Sequence, residues 1–285
     1  MHSLTRFGSR PGLERIASLL EAMGNPQQAL QYVHIAGTNG KGSTALIIAE
    51  VLNRAGYKVG RFVSPHLHSY LERITIDGVE IGATKFWAIL DEIDDHIRVM
   101  LDRGEEHPTE FEVLTAAAFR YFQLEQVDLA VMEVGMGGTY DSTNVITPRV
   151  AVITGVDFDH TAFLGDTMGE IAANKAGIIK PRVPVVIGPM DIEAYKVISQ
   201  QAQAMQAPLF HSSDIKVIPS RPASLLSQEV DLEGPALQLK GVTYTMPGTY
   251  QRRNLAVALR ALLVLRDQEL EIDTNSIRSD LAGVS

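Results

Sequence analysis

Seven consecutive residues near the start of the chain are of types that can bind a phosphate group. Glycines let backbone N–H groups turn toward phosphate oxygens, and a lysine supplies a mobile positive charge. A serine hydroxyl at the end of such a segment can reach a phosphate or its magnesium ion. The seven residues are Gly37, Thr38, Asn39, Gly40, Lys41, Gly42 and Ser43.

The spacing in this segment differs from the common phosphate-loop pattern G-x-x-x-x-G-K-[ST]. Gly37 lies closer to Gly40 than the first glycine of the common pattern lies to its second, and Gly42 separates Lys41 from Ser43. One alternative is a glycine turn that only joins a strand to a helix. Because an apolar strand pattern precedes the segment and a helical pattern follows it, the positive end of the helix would face the loop. We therefore interpret it as a variant phosphate loop.

Three further polar residues follow predicted strands and could hold a metal ion. Ser64, Glu133 and His160 would lie together beside the phosphate loop if their strands run parallel. A hydroxyl, a carboxylate and an imidazole suit a magnesium ion that bridges phosphates, although magnesium favours oxygen. Ser64 could instead cap a turn, and a lone histidine is more often structural. Glu133 sits in an apolar run, where a carboxylate is costly unless it is paired or metal-bound.

Alternating apolar runs and helical patterns predict an α/β fold that would position these residues. We expect a mostly parallel sheet with a phosphate loop and flanking helices, and a hairpin at Asp77-Gly78. After about residue 208 the pattern changes, and strands are predicted at 236–239 and 242–246. The whole chain, 1–285, is predicted to be one ATP-binding domain with a small β-rich lobe at about 208–248. Other strands are predicted at 32–36, 58–63, 127–134, 149–155 and 183–187, and helices at 13–23, 44–54, 85–101, 111–124, 171–178, 193–205, 251–265 and 277–285.

Composition narrows the classes of function. The formal net charge is -9 and no basic tract is present, which disfavours nucleic-acid binding. The chain has no cysteine, so disulfides and thiolate metal sites are excluded, as fits a reducing cytoplasm. No apolar run has the length of a membrane span or of a signal core. We expect a cytoplasmic protein, monomeric, that acts on small molecules.

Six ordered motifs resemble the folylpolyglutamate synthase/dihydrofolate synthase family, a branch of the Mur ligase-like enzymes. They cover residues 34–178, and weaker segments at 12–16 and 251–254 extend the resemblance over most of the chain. The motifs are His34 to Ser43, Ser64-Pro65-His66-Leu67 with Glu72-Arg73-Ile74, Glu133 to Gly138, Asp141 to Asn144, Asp159-His160-Thr161 and Lys175 to Ile178.

The resemblance implies an ATP-dependent ligase that joins L-glutamate to a folate or dihydropteroate carboxylate through an acyl phosphate. It implies that Lys41 and the loop amides hold the ATP phosphates, and that Ser64, Glu133 and His160 bind Mg²⁺. Lys41, His160 and Lys175 would be catalytic, with Lys175 carbamylated so that it helps to position magnesium. Without the resemblance, Lys175 would be interpreted as a solvated helix lysine.

The resemblance also implies contacts with the two organic substrates. Asn254 matches an asparagine at the adenine end of ATP, although a polar residue on an exposed helix turn is the alternative. Phe111 could be a core residue of its helix rather than a face for a flat heterocycle. The residues that match the pterin or folate site are Arg73, Phe111, Glu112, Asp141 and Ser142.

Three departures from the family pattern qualify these expectations. Thr139 stands where the family usually has arginine, and Tyr250 where it has histidine. The family also continues into a second α/β domain, so a C-terminal glutamate ligase domain is expected to be absent here. Two other functions therefore stay open: another Mur-type acid–amino acid ligase, and an ATP-binding fragment without ligase activity.

Overall fold

The computed structural model describes residues 12–158, 164–221, 227–274 and 277–282. Within them the strands form an eight-stranded sheet and a separate three-stranded sheet. The strands of the large sheet are β1 (Gln31–Ala36), β2 (Val59–Phe62), β3 (Ile74–Ile76), β4 (Val79–Glu80), β5 (Leu129–Glu133), β6 (Val150–Ile153), β7 (Val185–Ile187) and β8 (Leu209–His211). Those of the small sheet are β9 (Lys216–Pro219), β10 (Gln228–Gly234) and β11 (Leu237–Tyr244).

Helices cover both faces of the large sheet. Apolar residues recur along them at helical spacing, and capping boxes stabilise the start of two of them, at Thr109 and Thr167. The helices are α1 (Glu14–Ala22), α2 (Lys41–Arg54), α3 (Ala83–Asp102), α4 (Glu110–Leu124), α5 (Met168–Ala176), α6 (Ile192–Ala204), α7 (Gln251–Arg266) and α8 (Ile277–Leu281).

The large sheet has the strand order β4-β3-β2-β5-β1-β6-β7-β8. Every neighbouring pair from β2 to β8 is parallel, whereas β3 and β4 are antiparallel additions at one edge. The mostly parallel α/β fold predicted from the sequence is thus confirmed. The carboxyl ends of β2, β5, β1 and β6 consequently meet at one edge, which is where ligands bind in such sheets.

Side chains alternate between the two faces of this sheet, as the pleat requires. On one face, Val33 and Ile35 of β1 pack with α2 and α7 and with the small sheet. On the opposite face, Tyr32 packs with α1, α3 and α4, while Ala36 packs with α5 and α6. The sheet is therefore buried between two layers, which explains the continuous apolar runs of its parallel strands.

The small sheet differs from the prediction in its strands. The runs predicted at 236–239 and 242–246 form one strand, β11, and its partner β10 was not predicted. In β10 the charged residues Glu229, Asp231 and Glu233 alternate with buried ones, which is the pattern of a half-buried strand. Leu209–His211 pairs with β7 in the large sheet, so the small sheet spans residues 216–244 of the predicted 208–248 lobe.

Two local predictions concern turns and helix ends. The hairpin at Asp77-Gly78 is confirmed, with both residues at positive φ (52° and 78°). Helix α2 starts at Lys41, earlier than predicted, because Gly40 adopts the left-handed conformation that ends the loop. In the described ranges, no helix has both the length and the apolar character that a membrane crossing requires.

Candidate active site

The phosphate loop connects the carboxyl end of β1 to the start of α2. Gly37 (φ 147°) and Gly40 (φ 82°) take backbone conformations that side chains rarely adopt. The Lys41 ammonium donates to the carbonyl oxygens of Gly37 (2.9 Å) and Thr38 (3.2 Å). Its charge is therefore held over the loop, where it can meet an incoming phosphate.

The segment that follows strand β6 fixes the shape of the loop through hydrogen bonds to Thr38 and Asn39. The Thr154 hydroxyl donates to the Asn39 carbonyl at 2.6 Å. The Thr38 N–H donates to the carbonyl of Gly155 at 3.0 Å, and the Thr38 hydroxyl contacts the backbone of Asp157. The loop is thus tied to the chain segment beside it by the protein's own hydrogen bonds.

A cavity of about 520 Å³ opens next to this loop. Its walls come from the loop, from residues 154–157 after β6, and from the start of α7. Asn254 of α7 is buried, and its amide oxygen lies against Gly40, where a Cβ would come within 2.2 Å of it. The helix thus brings Asn254 to the phosphate loop and does not leave it on an exposed turn.

Glu133, at the carboxyl end of β5, is 3% exposed and lies beside the phosphate loop. Its carboxylate accepts the N–H of Ser64 at 3.4 Å, so these two predicted metal ligands lie together. Burial raises the pKa of Glu133 to about 7, and the positive charge of Lys41 opposes this shift. A carboxylate buried at this cost is suited to a cation that compensates its charge.

The donors in this corner suit magnesium, which prefers carboxylate and hydroxyl oxygens. His160, the third predicted ligand, lies outside the described residues. In the part of the chain that the structure describes, no group of three His, Cys, Asp or Glu residues could hold a metal ion. Ser64 and Glu133 would supply at most two oxygen donors to such an ion, and further ligands would have to come from His160, the nucleotide or water.

Lys175 lies in the last turn of α5 and is only 1% exposed. The glycine segment after β5 packs directly on this turn: a Cβ on Gly138 would lie 2.7 Å from the Asn174 carbonyl oxygen. The Thr139 N–H donates to the same carbonyl at 2.9 Å. The position of Lys175 is therefore set by close backbone packing, unlike that of a solvated surface lysine.

Phe111, which is half-buried, and the residues after Gly138 form a wall beside β5. Phe111 covers Gly135 and lies 5.7 Å from the Phe62 ring, centroid to centroid. Asp141 accepts the N–H groups of Met136 (2.9 Å) and Thr143 (3.0 Å), and burial raises its pKa. These two predicted folate-site residues thus make contacts inside the protein.

Ser142 is held in the same way, since its hydroxyl and that of Thr115 lie 2.7 Å apart. Glu112 is also engaged: it accepts the Thr109 N–H in a capping box and pairs with Arg15 at 3.1 Å. Ser142 and Glu112 are therefore buried parts of the scaffold around α4.

Arg73 belongs to a more open cluster beyond β2. Its Nε donates to Nδ1 of His66 at 2.8 Å, and its guanidinium lies 5.6 Å from the centre of the Tyr70 ring. The Tyr70 hydroxyl donates to Glu110 at 2.8 Å. A cation, two rings and a carboxylate at one edge can bind a planar, anionic molecule.

Three residues that the sequence analysis did not select also contact this region. Thr154 follows β6, so the strand-end rule could have found it. Gln251 donates to Ser43 at 3.2 Å, and only its place in a weak motif pointed to it. His34 lies inside β1, where its Nε2 contacts the Thr143 hydroxyl at 2.8 Å. Burial, followed by the charge of Lys180, lowers the pKa of His34 to about 3.

Comparison with known families agrees with this arrangement. Residues 35–262 match the model of the Mur ligase middle domain. This class, defined by a parallel sheet and a phosphate loop, accounts for most of the chain.

More specific relatives cover almost the whole chain. It is 36% identical to the dihydrofolate synthase/folylpolyglutamate synthase of Bacillus subtilis over 99% of its length and 66% of the relative's. It is 38% identical to a folylpolyglutamate synthase of Lacticaseibacillus casei, again over 99% of its length and 67% of the relative's. A solved FPGS complex with AMPPCP and folate superposes with a TM-score of 0.94 at 37% identity, over all of this chain and 70% of that one.

The chain therefore belongs to the folylpolyglutamate synthase/dihydrofolate synthase family of Mur ligases. It spans about two thirds of the length of the curated relatives that it matches.

Proposed function

We propose that this chain takes part in the ATP-dependent ligation of L-glutamate to the carboxylate of folate or dihydropteroate. The strongest support is its 36–38% identity, over 99% of its length, to proteins named for these reactions. The similar FPGS structure with AMPPCP and folate points to the same substrate classes. We further propose that the chain is a single domain that works as a monomer in the cytoplasm.

ATP would occupy the cavity beside the phosphate loop. The amides of Gly37 to Ser43 would surround the phosphates, and Lys41 would leave the carbonyls of its loop to neutralise their charge. Asn254, already fixed against Gly40, would contact the adenine end.

Magnesium would be held by Ser64, Glu133 and His160. The ion would supply positive charge to the phosphate oxygens during transfer. Lys175 would contribute through carbamylation, which converts its cation into a carboxylate-like group. The burial of Lys175 beside the glycine segment after β5 supports this proposal.

The acceptor would lie along the cluster of Arg73 and the wall of Phe111. Glu112, Asp141 and Ser142 would shape this wall through the internal contacts described above. The carboxylate of the acceptor would attack the terminal phosphorus of ATP, giving an acyl phosphate and ADP. The glutamate amine would then attack the acyl carbon, forming an amide while inorganic phosphate leaves and the amine loses its proton. Holding the anions in line is the main task of the loop and Lys41.

The test is ADP release with MgATP and dihydropteroate or tetrahydrofolate, with and without glutamate. We expect release that needs both the pterin substrate and glutamate, together with a glutamylated product seen by mass spectrometry. Lys41→Ala is the matched negative control. Turnover with a different amino acid or a cell-wall precursor instead would favour another Mur-type ligase, and nucleotide binding without turnover would favour the fragment function.

A further inference from the structure

Gln251, the first residue of α7, joins two residues of the candidate ATP site. It is 6% exposed. Its amide nitrogen donates to the Ser43 hydroxyl oxygen at 3.2 Å, and its amide oxygen accepts from the Asn254 side-chain nitrogen at 2.8 Å. Residues that are separated by more than two hundred positions along the chain are thereby linked.

The surroundings fix which way each amide points. The Asn254 amide oxygen lies on the side of Gly40, nearer than the amide nitrogen to the position that a Cβ would take (2.2 Å against 3.3 Å), and there the glycine offers only a C–H group. The Asn254 nitrogen must then face Gln251, which answers with its amide oxygen. The Gln251 nitrogen is left for Ser43, so the serine oxygen acts as the acceptor of that bond.

This direction decides what the Ser43 hydroxyl can do. With one lone pair taken by Gln251, its own hydrogen is available to donate to an acceptor in the cavity. Oxygens of a bound phosphate are such acceptors, and a bond from a hydroxyl to a charged oxygen is among the stronger kinds.

We propose that Gln251 is a positioning residue that turns the Ser43 hydroxyl into a hydrogen-bond donor for a nucleotide phosphate. The inference rests on the proposed function, in that the cavity must bind MgATP. It assigns Gln251 to the phosphate end of the nucleotide, whereas its neighbour Asn254 serves the adenine end.

A double-mutant cycle tests this role. MgATP binding is measured by titration calorimetry for wild type, Gln251→Met, Ser43→Ala and the double variant. Methionine keeps the length of glutamine and removes both hydrogen bonds. We expect each single variant to bind about tenfold more weakly, the loss of one hydrogen bond to a charged group. The double variant should bind no more weakly than Ser43→Ala, because Gln251 acts through Ser43.

The same cycle with magnesium tripolyphosphate separates the phosphate end from the base end. The losses caused by Gln251→Met and Ser43→Ala should persist with this ligand, which has no adenine. If the contact between Gln251 and Ser43 only held two helices together, its loss would change the stability of the fold and not the affinity for tripolyphosphate. Gln268→Met, two residues beyond the end of α7, is the matched control, since its bonds to Arg149 lie away from the cavity and binding should be unchanged.

Unfolding without ligand checks that each variant folds. If Gln251→Met does not fold, Gln251→Glu replaces it: glutamate keeps the acceptor for Asn254, loses the donor to Ser43 and adds a negative charge, so only its coupling to Ser43→Ala in the cycle is compared. Unchanged binding by the Gln251 variant, or additive losses in the cycle, would overturn the inference while leaving ATP binding intact. No binding of MgATP or tripolyphosphate by folded wild type would overturn both the inference and the proposed function.

Discussion

Lys41 holds its charge in place by donating to carbonyls of its own loop, and among the described residues it forms no ion pair, so it is available to an anion. We predict that Lys41→Ala removes most MgATP binding, as judged by titration calorimetry. The unfolding temperature without nucleotide should change little, since these two bonds are only partly buried. Wild-type affinity in a folded Lys41→Ala protein would contradict the phosphate-loop interpretation.

His34 gives the structure a specific sensitivity to acid. Its folded-state pKa is about 3, below its ordinary value, so the unfolded chain takes up a proton first as the pH falls. The stability that neutral His34 contributes is present above pH 6.5 and is lost progressively between pH 6.5 and about 3. For one proton the slope is about 1.4 kcal/mol per pH unit.

The variant His34→Gln isolates this contribution, because all carboxylates remain the same. At pH 7 we expect the variant to be the less stable protein, since the ring is tightly packed. The gap in unfolding free energy, measured with denaturant, should narrow as the pH falls from 6.5 to 4. A gap that stays constant over this range would show that His34 titrates alike in both states.

Helix α5 packs directly against Gly138, and this close contact is possible because glycine has no side chain. We predict that Gly138→Ala lowers the unfolding free energy by about 1–3 kcal/mol, because its Cβ would meet the backbone of Asn174 and Lys175. The rate of the proposed glutamate ligation should fall as Lys175 shifts. Gly82→Ala is the matched control, since nothing lies within 4 Å of its Cβ position. Equal effects on stability from the two variants would refute this account.

The sequence predicts elements where one physical signal dominates. The parallel strands follow from apolar runs, and the Asp77-Gly78 turn follows from residues that adopt positive φ. Glu133 was selected because a carboxylate in an apolar run is costly unless it is paired or metal-bound. Strand β10 was missed because its charged residues alternate with apolar ones, so it has no continuous apolar run like those of the parallel strands. The burial of Lys175 could not be predicted, since it depends on close packing between α5 and a glycine segment far away in the chain.

At the scale of the whole molecule, the small sheet shares one core with the large one. Leu232 and Val230 of β10 lie in the same apolar cluster as Ile35 of β1 and Leu259 of α7. The salt bridge from Arg260 of α7 to Asp214 (3.2 Å) adds to this connection. The two sheets should therefore unfold together.

We predict that Leu232→Ala destabilises the entire molecule by about 2–5 kcal/mol, as expected for a cavity in a shared core. Hydrogen exchange followed by mass spectrometry should show faster exchange in β1 and β5 as well as in β10. Gln238→Ala, on the exposed side of β11, is the control and should leave exchange unchanged. Faster exchange confined to the small sheet would mean that the sheets unfold independently.

The phosphate loop owes its shape to residues far from it: Thr154 and Asp157 after β6, and Gln251 on α7. We therefore expect the loop to keep this conformation only within this fold. Grafting Gly37 to Ser43 between a strand and a helix of another protein would transfer the sequence of the loop but not its fixed geometry. In this fold, the geometry of the loop depends on both the large sheet and helix α7. A change in either one would have to be matched by a change in the loop.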